Sequence, residues 1–112
     1  MKIRKVSKPW GWELWFAHTR HYVGKIIFIK KGNRLSLQFH RRKHETVYSD
    51  EGPWLLQIGR RERRMKAGET AVIPPGTKHR FCSPYRDIRL IEVSTPHTDD
   101  VVRLQDDYGR AD

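Results

Sequence analysis

Turn signals fall so often along this chain that only short extended segments fit between them. Pro9-Trp10-Gly11, Gly32-Asn33, Asp50-Glu51-Gly52-Pro53, Gly59-Arg60, Ala67-Gly68-Glu69, Pro74-Pro75-Gly76, Ser83-Pro84 and Pro96 each interrupt the backbone. Glycine admits positive φ and proline lacks an N–H, so helices do not continue through such positions. The runs between them are rich in Val, Ile, Tyr, Phe and Trp, and no window holds a helical period. Extended runs are expected at Trp12 to Ala17, Tyr22 to Lys30, Leu35 to His40, His44 to Ser49, Trp54 to Ile58, Glu62 to Lys66, Thr70 to Ile73, His79 to Cys82 and Ile88 to Ser94. Roughly nine to eleven short strands at this spacing predict an all-β fold, a jelly-roll β-barrel of two antiparallel sheets.

At 112 residues the chain is expected to be a single domain, 1–112, with a modest core that association would help. Residues 1–8 form a basic lead-in. Three tryptophans between Trp10 and Trp15 are too many for water and should pack on the barrel or at a subunit contact, which suits a homodimer. The net charge is +10, from 23 Lys and Arg against 13 Asp and Glu. Such a surface attracts anions: a phosphorylated small substrate, an acidic surface or nucleic acid. Nucleic acid ranks last, because no reading motif accompanies the charge. The Arg60–Lys66 basic cluster reads as a solvated hairpin. No apolar run is long enough to cross a bilayer, and MKIRKVSKPW lacks the apolar middle of a signal peptide, so a cytoplasmic protein is expected. The single cysteine, Cys82, reads as a packed or half-exposed thiol.

Within Leu35 to His40, apolar Leu35, Leu37 and Phe39 alternate with polar Ser36, Gln38 and His40. A period of two puts Gln38 and His40 on one face of a strand. Glu45 opens the next run after an Arg-Arg-Lys corner, and the two runs are expected to be adjacent antiparallel strands. His79 follows the Pro74-Pro75-Gly76 corner. A carboxylate, two imidazoles and an amide oxygen are a donor set for one divalent metal. Spacing alone leaves hydrogen-bonded or solvated side chains as the alternative.

The pair G-x5-Q-x-H-x4-E, Gly32 to Glu45, and G-x5-P-x-G-x2-H, Gly68 to His79, resembles the two motifs of the cupin superfamily. Gln38 stands where the usual first motif has histidine. That exchange resembles the phosphomannose isomerases, especially the C-terminal cupin domain of the bifunctional type II enzymes. Lys8-Pro9-Trp10-Gly11 is similar to their R/K-P-W-G opening, and Leu35-Ser36-Leu37-Gln38 to their L-S-L-Q. Asp99-Asp100-Val101-Val102-Arg103 with Asp107-Tyr108-Gly109-Arg110 is similar to their ending.

The resemblance implies a divalent metal on Gln38, His40, Glu45 and His79, zinc first, with iron, manganese or nickel as alternatives. It implies a phosphorylated sugar as substrate and aldose–ketose isomerisation as the reaction. Lys43 or Glu92 would transfer the proton, and Lys8, Arg103 and Arg110 would contact phosphate or hydroxyls. A lysine near a metal and other cations is expected to have a lowered pKa. The tail, 98–112, would fold over the barrel mouth. The chain departs from the pattern at Arg42, where the family has histidine, at Lys43, where it has arginine, and at Thr46, where it has histidine. No stretch matches a nucleotidyltransferase, so no GDP-sugar synthesis is expected of these residues. A non-catalytic sugar-binding module, or an oxygenase or epimerase on the same metal site, are the alternatives.

Overall fold

In the computed structural model of this chain residues 2–112 are described, so Met1 of the lead-in lies outside the described residues. The strands are β1 (Arg4–Lys8), β2 (Gly11–His18), β3 (Val23–Ile29), β4 (Asn33–Arg34), β5 (Leu37–His40), β6 (Glu45–Tyr48), β7 (Trp54–Ile58), β8 (Arg61–Met65), β9 (Thr70–Ile73), β10 (His79–Ser83), β11 (Ile88–Ser94) and β12 (Val101–Gln105). No helix occurs among the described residues. One sheet runs β1-β2-β3-β11-β6-β9 and the other β12-β5-β10-β7-β8, with β4 also on β10; every pairing is antiparallel. This is the all-β, two-sheet barrel that the turn spacing predicts.

The core lies between the sheets and is built by alternation. Ile88 and Leu90 of β11 are fully buried, and Ile27 and Ile29 of β3 face the same interior. Trp54 and Leu56 of β7, Met65 of β8 and Phe81 of β10 answer from the second sheet. The Trp54 indole donates to Ser49 Oγ at 2.8 Å, so its polar edge is satisfied inside the core. Burying these side chains contributes about 1.5–3 kcal/mol each. The β7–β8 hairpin turns at Gly59-Arg60, with Gly59 at φ 57°. A glycine at the first central position suits a type II′ turn.

One sequence expectation is corrected by the strand order. β5 and β6 are not neighbours. They lie in different sheets, because the Arg41–His44 corner carries the chain across the barrel. The polar face of β5 points inward: His40 is buried, while Leu37 and Phe39 are half-buried on the outer side. The three clustered tryptophans separate. Trp10 enters the core, Trp15 lines the interior cavity, and Trp12 stacks on Phe28 at 5.2 Å on the outer face.

Gly11 has a steric reason. A Cβ there would lie 2.0 Å from the Phe28 carbonyl oxygen and 2.9 Å from its carbon. Backbone cannot yield as a flexible side chain can. Gly11→Ala is expected to lose about 3 kcal/mol or more in urea unfolding, at the upper end for overpacking. An unchanged midpoint would show that β2 can move off β3 freely.

The tail pairs rather than trails. β12 lies on β5, with Arg103 opposite Gln38 and Val101 opposite His40. Beyond it the Tyr108 hydroxyl donates to Asn33 Oδ1 at 2.7 Å, and the Arg34 guanidinium grips Asp107 through Nε and Nη2 at 2.7 and 3.0 Å. Arg80, buried in β10, donates to the carbonyls of Leu35 and Gln105.

Candidate metal centre

β5 and β10 lie side by side, with Gln38 and His79 directly opposite one another. His40 is two residues on from Gln38 and shares its face. Glu45 opens β6 in the other sheet and meets them across the barrel. The turn before His79 is tied to the other motif by backbone, since Gly76 N–H donates to the His40 carbonyl at 2.7 Å. Gly76 itself sits at φ 80°, which glycine tolerates.

One donor atom each from His40, Glu45 and His79 lies within 4.8 Å of the others, and all three residues are buried. This cluster could hold a metal ion. Its hydrogen bonds set the tautomers. His40 Nδ1 lies 2.9 Å from Asp100 Oδ1, and His79 Nδ1 lies 2.8 Å from the Thr77 carbonyl oxygen. Both partners only accept, so each Nδ1 carries a proton and each Nε2 is the ring nitrogen that faces the cluster. Burial, with the charge of Lys43, holds the His40 imidazole below the ordinary histidine range and so keeps it neutral. A carboxylate behind a ligating histidine is the arrangement that orients the ring and raises its basicity.

Inside the cluster the buried His79 Nε2 makes no well-formed hydrogen bond. Glu45 Oε2 is buried too, and its near neighbour is the Lys43 ammonium at 2.9 Å. His79 Nε2 faces Glu45 Oε1 at 3.2 Å. An imidazole nitrogen and a carboxylate oxygen at that distance are held together by a proton or a cation shared between them. Burial would raise the Glu45 carboxyl, but His79 and Lys43 outweigh it and hold it well below the usual carboxylate range. Glu45 is therefore ionised, as a metal ligand must be. Gln38 stands beside the cluster, with its Nε2 3.3 Å from His40 Nε2, while its Oε1 accepts from the Ser36 hydroxyl at 2.6 Å.

Lys43 and Glu92 adjoin the cluster. Lys43 Nζ lies 2.9 Å from Glu45 Oε2 and 2.9 Å from Glu92 Oε2, and all three side chains are buried. The lowered lysine pKa expected from sequence is corrected: burial pulls it down, but the carboxylates of Glu92 and Glu45 carry it above the ordinary lysine range. Its nearest charges are anions, not cations. Glu92 goes the other way. Burial, then the charge of Glu45, push its carboxyl up against the pull of Lys43.

Lys8, Gln38, His40, Lys43, Glu45, Glu92, Arg103 and Arg110 all line one cavity of about 100 Å³, and His79 abuts it through Glu45. Every site residue singled out from the sequence thus lies in or against one space. Burial pushes the Lys8 amine down, partly offset by Glu13, with Lys25, Arg103 and Arg110 adding to the fall. Arg103 Nε is buried without a hydrogen-bond partner. Arg110 is already engaged, donating to Asp106 Oδ2 and Oδ1 at 3.0 Å each.

Sequence reasoning missed Asp100 as a working residue, although it lies in a quoted motif. Its carboxylate accepts from His40 and from the backbone N–H groups of Arg42 and Lys43 at 2.7 and 3.1 Å, fixing the loop between His40 and Glu45. It also missed Glu13 and Lys25, a buried pair 3.5 Å apart on the cavity wall. The alternation of β2 places Glu13 beside Trp15 on the inward face, but the tryptophans masked it. Two of the departures fall outside the cluster: Arg42 is exposed, and Thr46 is half-buried and alternates away from Glu45.

Residues 1–106 match the family model described as the mannose-6-phosphate isomerase C-terminal domain. The chain belongs to this family. Among curated relatives, the mannose-1-phosphate guanylyltransferase ManC of Salmonella typhimurium is 33% identical over 111 residues, covering 96% of this chain and 23% of the relative. The chain thus spans about a quarter of the length of the curated relatives it matches. Among solved structures, an RmlC-like cupin from Shewanella frigidimarina superposes with a TM-score of 0.77 at 17% identity, covering 88% of this chain and 87% of that one. A structure titled as a cupin-superfamily sugar phosphate isomerase from Silicibacter pomeroyi gives 0.72 at 19%, covering 82% and 64%. These likenesses show the cupin fold. No helix among the described residues is long and apolar enough to cross a membrane.

Proposed function

We propose that this family member holds one divalent cation on His40, Glu45 and His79, with Gln38 as a fourth donor, and interconverts an aldose phosphate and a ketose phosphate of the mannose 6-phosphate type. The observation that carries the metal is the convergence of three buried donors, one atom each from His40, Glu45 and His79 within 4.8 Å of the others. Zinc suits two imidazoles and a carboxylate; iron, manganese and nickel take the same donors. Half a turn of the Gln38 amide would present its oxygen to the cation and leave its nitrogen to the Ser36 hydroxyl. The cation would supply Lewis acidity toward the substrate's carbonyl and hydroxyl oxygens.

The chain supplies the rest. Glu92, a buried carboxylate raised in pKa, suits a base that moves a proton between adjacent carbons. Lys43 stays charged beside it and steadies the ionised form. Arg103, with an open Nε, Lys8 and Arg110 offer cations to phosphate at the cavity wall. The family match and the sugar phosphate isomerase among its structural neighbours support this reading over an oxygenase. The nucleotidyl activity in the relatives' names belongs to proteins about four times as long and is not carried over.

The test is conversion of mannose 6-phosphate to fructose 6-phosphate by protein stripped with chelator and reloaded with zinc, manganese or iron in turn. Glu92→Gln should lose roughly 10²–10⁴-fold in kcat with metal content unchanged. Metal bound without turnover of any hexose phosphate would overturn the isomerase and leave a sugar-binding module.

Asp100→Asn tests the support behind His40. Metal affinity should fall about 10- to 100-fold, as when other carboxylates behind ligating histidines are removed. Competition with a coloured chelator measures it, and an unchanged affinity would show that the Asp100 contact does not tune the ligand.

We also propose a homodimer, formed over the outer face of the first sheet. There Tyr48, Val72 and Val93 are exposed, and the pairings of β11, β6 and β9 set Val93 and Val72 in one row. Val93→Arg should shift the mass found by light scattering from dimer to monomer. A wild-type protein that is monomeric at high micromolar concentration excludes this contact.

A further inference from the structure

The buried ion pair of Glu13 and Lys25 lies outside the metal cluster, with Lys25 the cross-strand neighbour of Glu92, and both residues line the same cavity. Its geometry is incomplete as a structural bridge. The charged atoms stand 3.5 Å apart, beyond the usual range for a charge-assisted hydrogen bond. Among the described residues Glu13 is the sole ion-pair partner of Lys25, and the Lys25 ammonium also lies 4.2 Å over the Trp15 ring. Trp15 Nε1 donates to Glu13 Oε1 at 3.0 Å, which leaves Glu13 Oε2 free to accept. An ammonium has three donors and a carboxylate about four acceptor sites, so both groups keep open valences on the cavity side.

The position is equally informative. Trp15 on β2, Lys25 on β3 and Glu92 on β11 are consecutive cross-strand partners, and Glu45 lies on β6, the next strand. Glu13 thus sits three strands from Glu45, about 14 Å at ordinary strand spacing, and its row on β11 is that of Leu90 where Glu45 faces Ser94, about 13 Å further along the strand, with the direct distance shortened by the curve of the barrel. The cavity therefore has a metal-binding end and a separate end that offers a paired donor and acceptor.

We propose that Glu13 and Lys25, braced by Trp15, form a hydroxyl-reading subsite that takes vicinal hydroxyls of the substrate's carbon chain away from the reacting carbons. Glu13 Oε2 accepts from one hydroxyl, and the Lys25 ammonium donates to its neighbour. This deepens the sugar-phosphate reading and rests on it for the identity of the ligand. It requires a polyhydroxylated chain and discriminates against deoxy analogues, because loss of a hydroxyl strands a buried charge.

The test is binding, with no turnover involved. Zinc-loaded protein is titrated with a hexitol 6-phosphate, which has no carbonyl to isomerise, with its 4-deoxy analogue, and with inorganic phosphate. Wild type should bind the hexitol phosphate at least 10-fold more tightly than phosphate, and the deoxy analogue at least 10-fold more weakly than the parent. Glu13→Gln and Lys25→Met should each erase most of both differences while leaving inorganic phosphate affinity and zinc content unchanged. The double variant removes both charges together and leaves neither buried alone, so it keeps the test open if a single variant fails to fold. Equal binding of hexitol phosphate and phosphate by wild type, or deoxy discrimination that survives in the double variant, overturns the subsite. The expected binding pattern with no isomerisation of mannose 6-phosphate overturns the isomerase and leaves the subsite standing.

Discussion

Lys43→Met is expected to lower folding stability at pH 7 by about 3–5 kcal/mol, the loss seen when one member of a buried ionic group is removed. For a chain of this size that corresponds to a melting temperature roughly 12–20 °C lower. Methionine keeps most of the aliphatic stem, so the loss reports charge rather than volume. The Lys43 ammonium touches both Glu45 and Glu92 at 2.9 Å, and without it two carboxylates face each other in the interior. The sign with pH follows. In wild type the lysine pKa is raised on folding, so its contribution is complete below the unfolded lysine value and is lost only as pH rises through the folded one. In the variant the carboxylates lose their cation, and their folded pKa values rise above the unfolded glutamate value of about 4.3. A raised carboxyl destabilises the fold above that unfolded value, so the deficit should be largest at pH 7 and shrink toward pH 4. Glu92, already raised in wild type, takes up its proton first. Urea unfolding at the two pH values measures this. Adding Glu92→Gln should recover part of the loss, since the two sites are in contact and do not add. A deficit equal at pH 4 and pH 7 would show that Lys43 contributes packing alone.

The sequence shows local periods well and shows poorly which elements meet. The alternation of Ile88, Leu90 and Glu92 puts all three on one face, and the structure buries all three. The same rule groups Gln38 with His40 correctly, and their side-chain nitrogens lie 3.3 Å apart. It does not say which face is inside. On β5 the polar face is interior, because this barrel keeps a polar cavity where a filled core would take the apolar face. Nor does the period show that the four residues Arg41–His44 carry the chain from one sheet to the other, since β6 pairs with β11 and β9, far along the chain. Glu13 and Lys25 are separated by a turn and carry no motif, so their pairing emerges only from the β2–β3 register. Asp100 was visible as a residue type. Its work is visible only once β12 lies on β5 and brings its carboxylate against His40.

Zinc is expected to raise the melting temperature of the chelator-stripped protein by about 10 °C when free zinc exceeds its dissociation constant 100-fold. Binding to the native state alone then contributes about 2.7 kcal/mol, at roughly 4 °C per kcal/mol for a chain of this size. The gain has a local origin. His79 Nε2 lies 3.2 Å from Glu45 Oε1, and His40 offers a third donor atom within 4.8 Å of both. A divalent cation would draw on all three donors at once, and only the folded chain brings them together. His79→Ala and Glu45→Gln should therefore abolish the zinc-induced rise, whatever each does to the metal-free protein. Gln38→Ala should leave part of it, since a neutral amide oxygen is the weakest of the four donors. Replacing His21, which is exposed and outside the cluster, should leave the rise intact. The comparison separates one built site from adventitious binding by surface imidazoles. If His79→Ala keeps the full zinc shift while His21→Ala loses it, the cation sits on the surface, and the interior triangle is a hydrogen-bonding cluster rather than a metal centre.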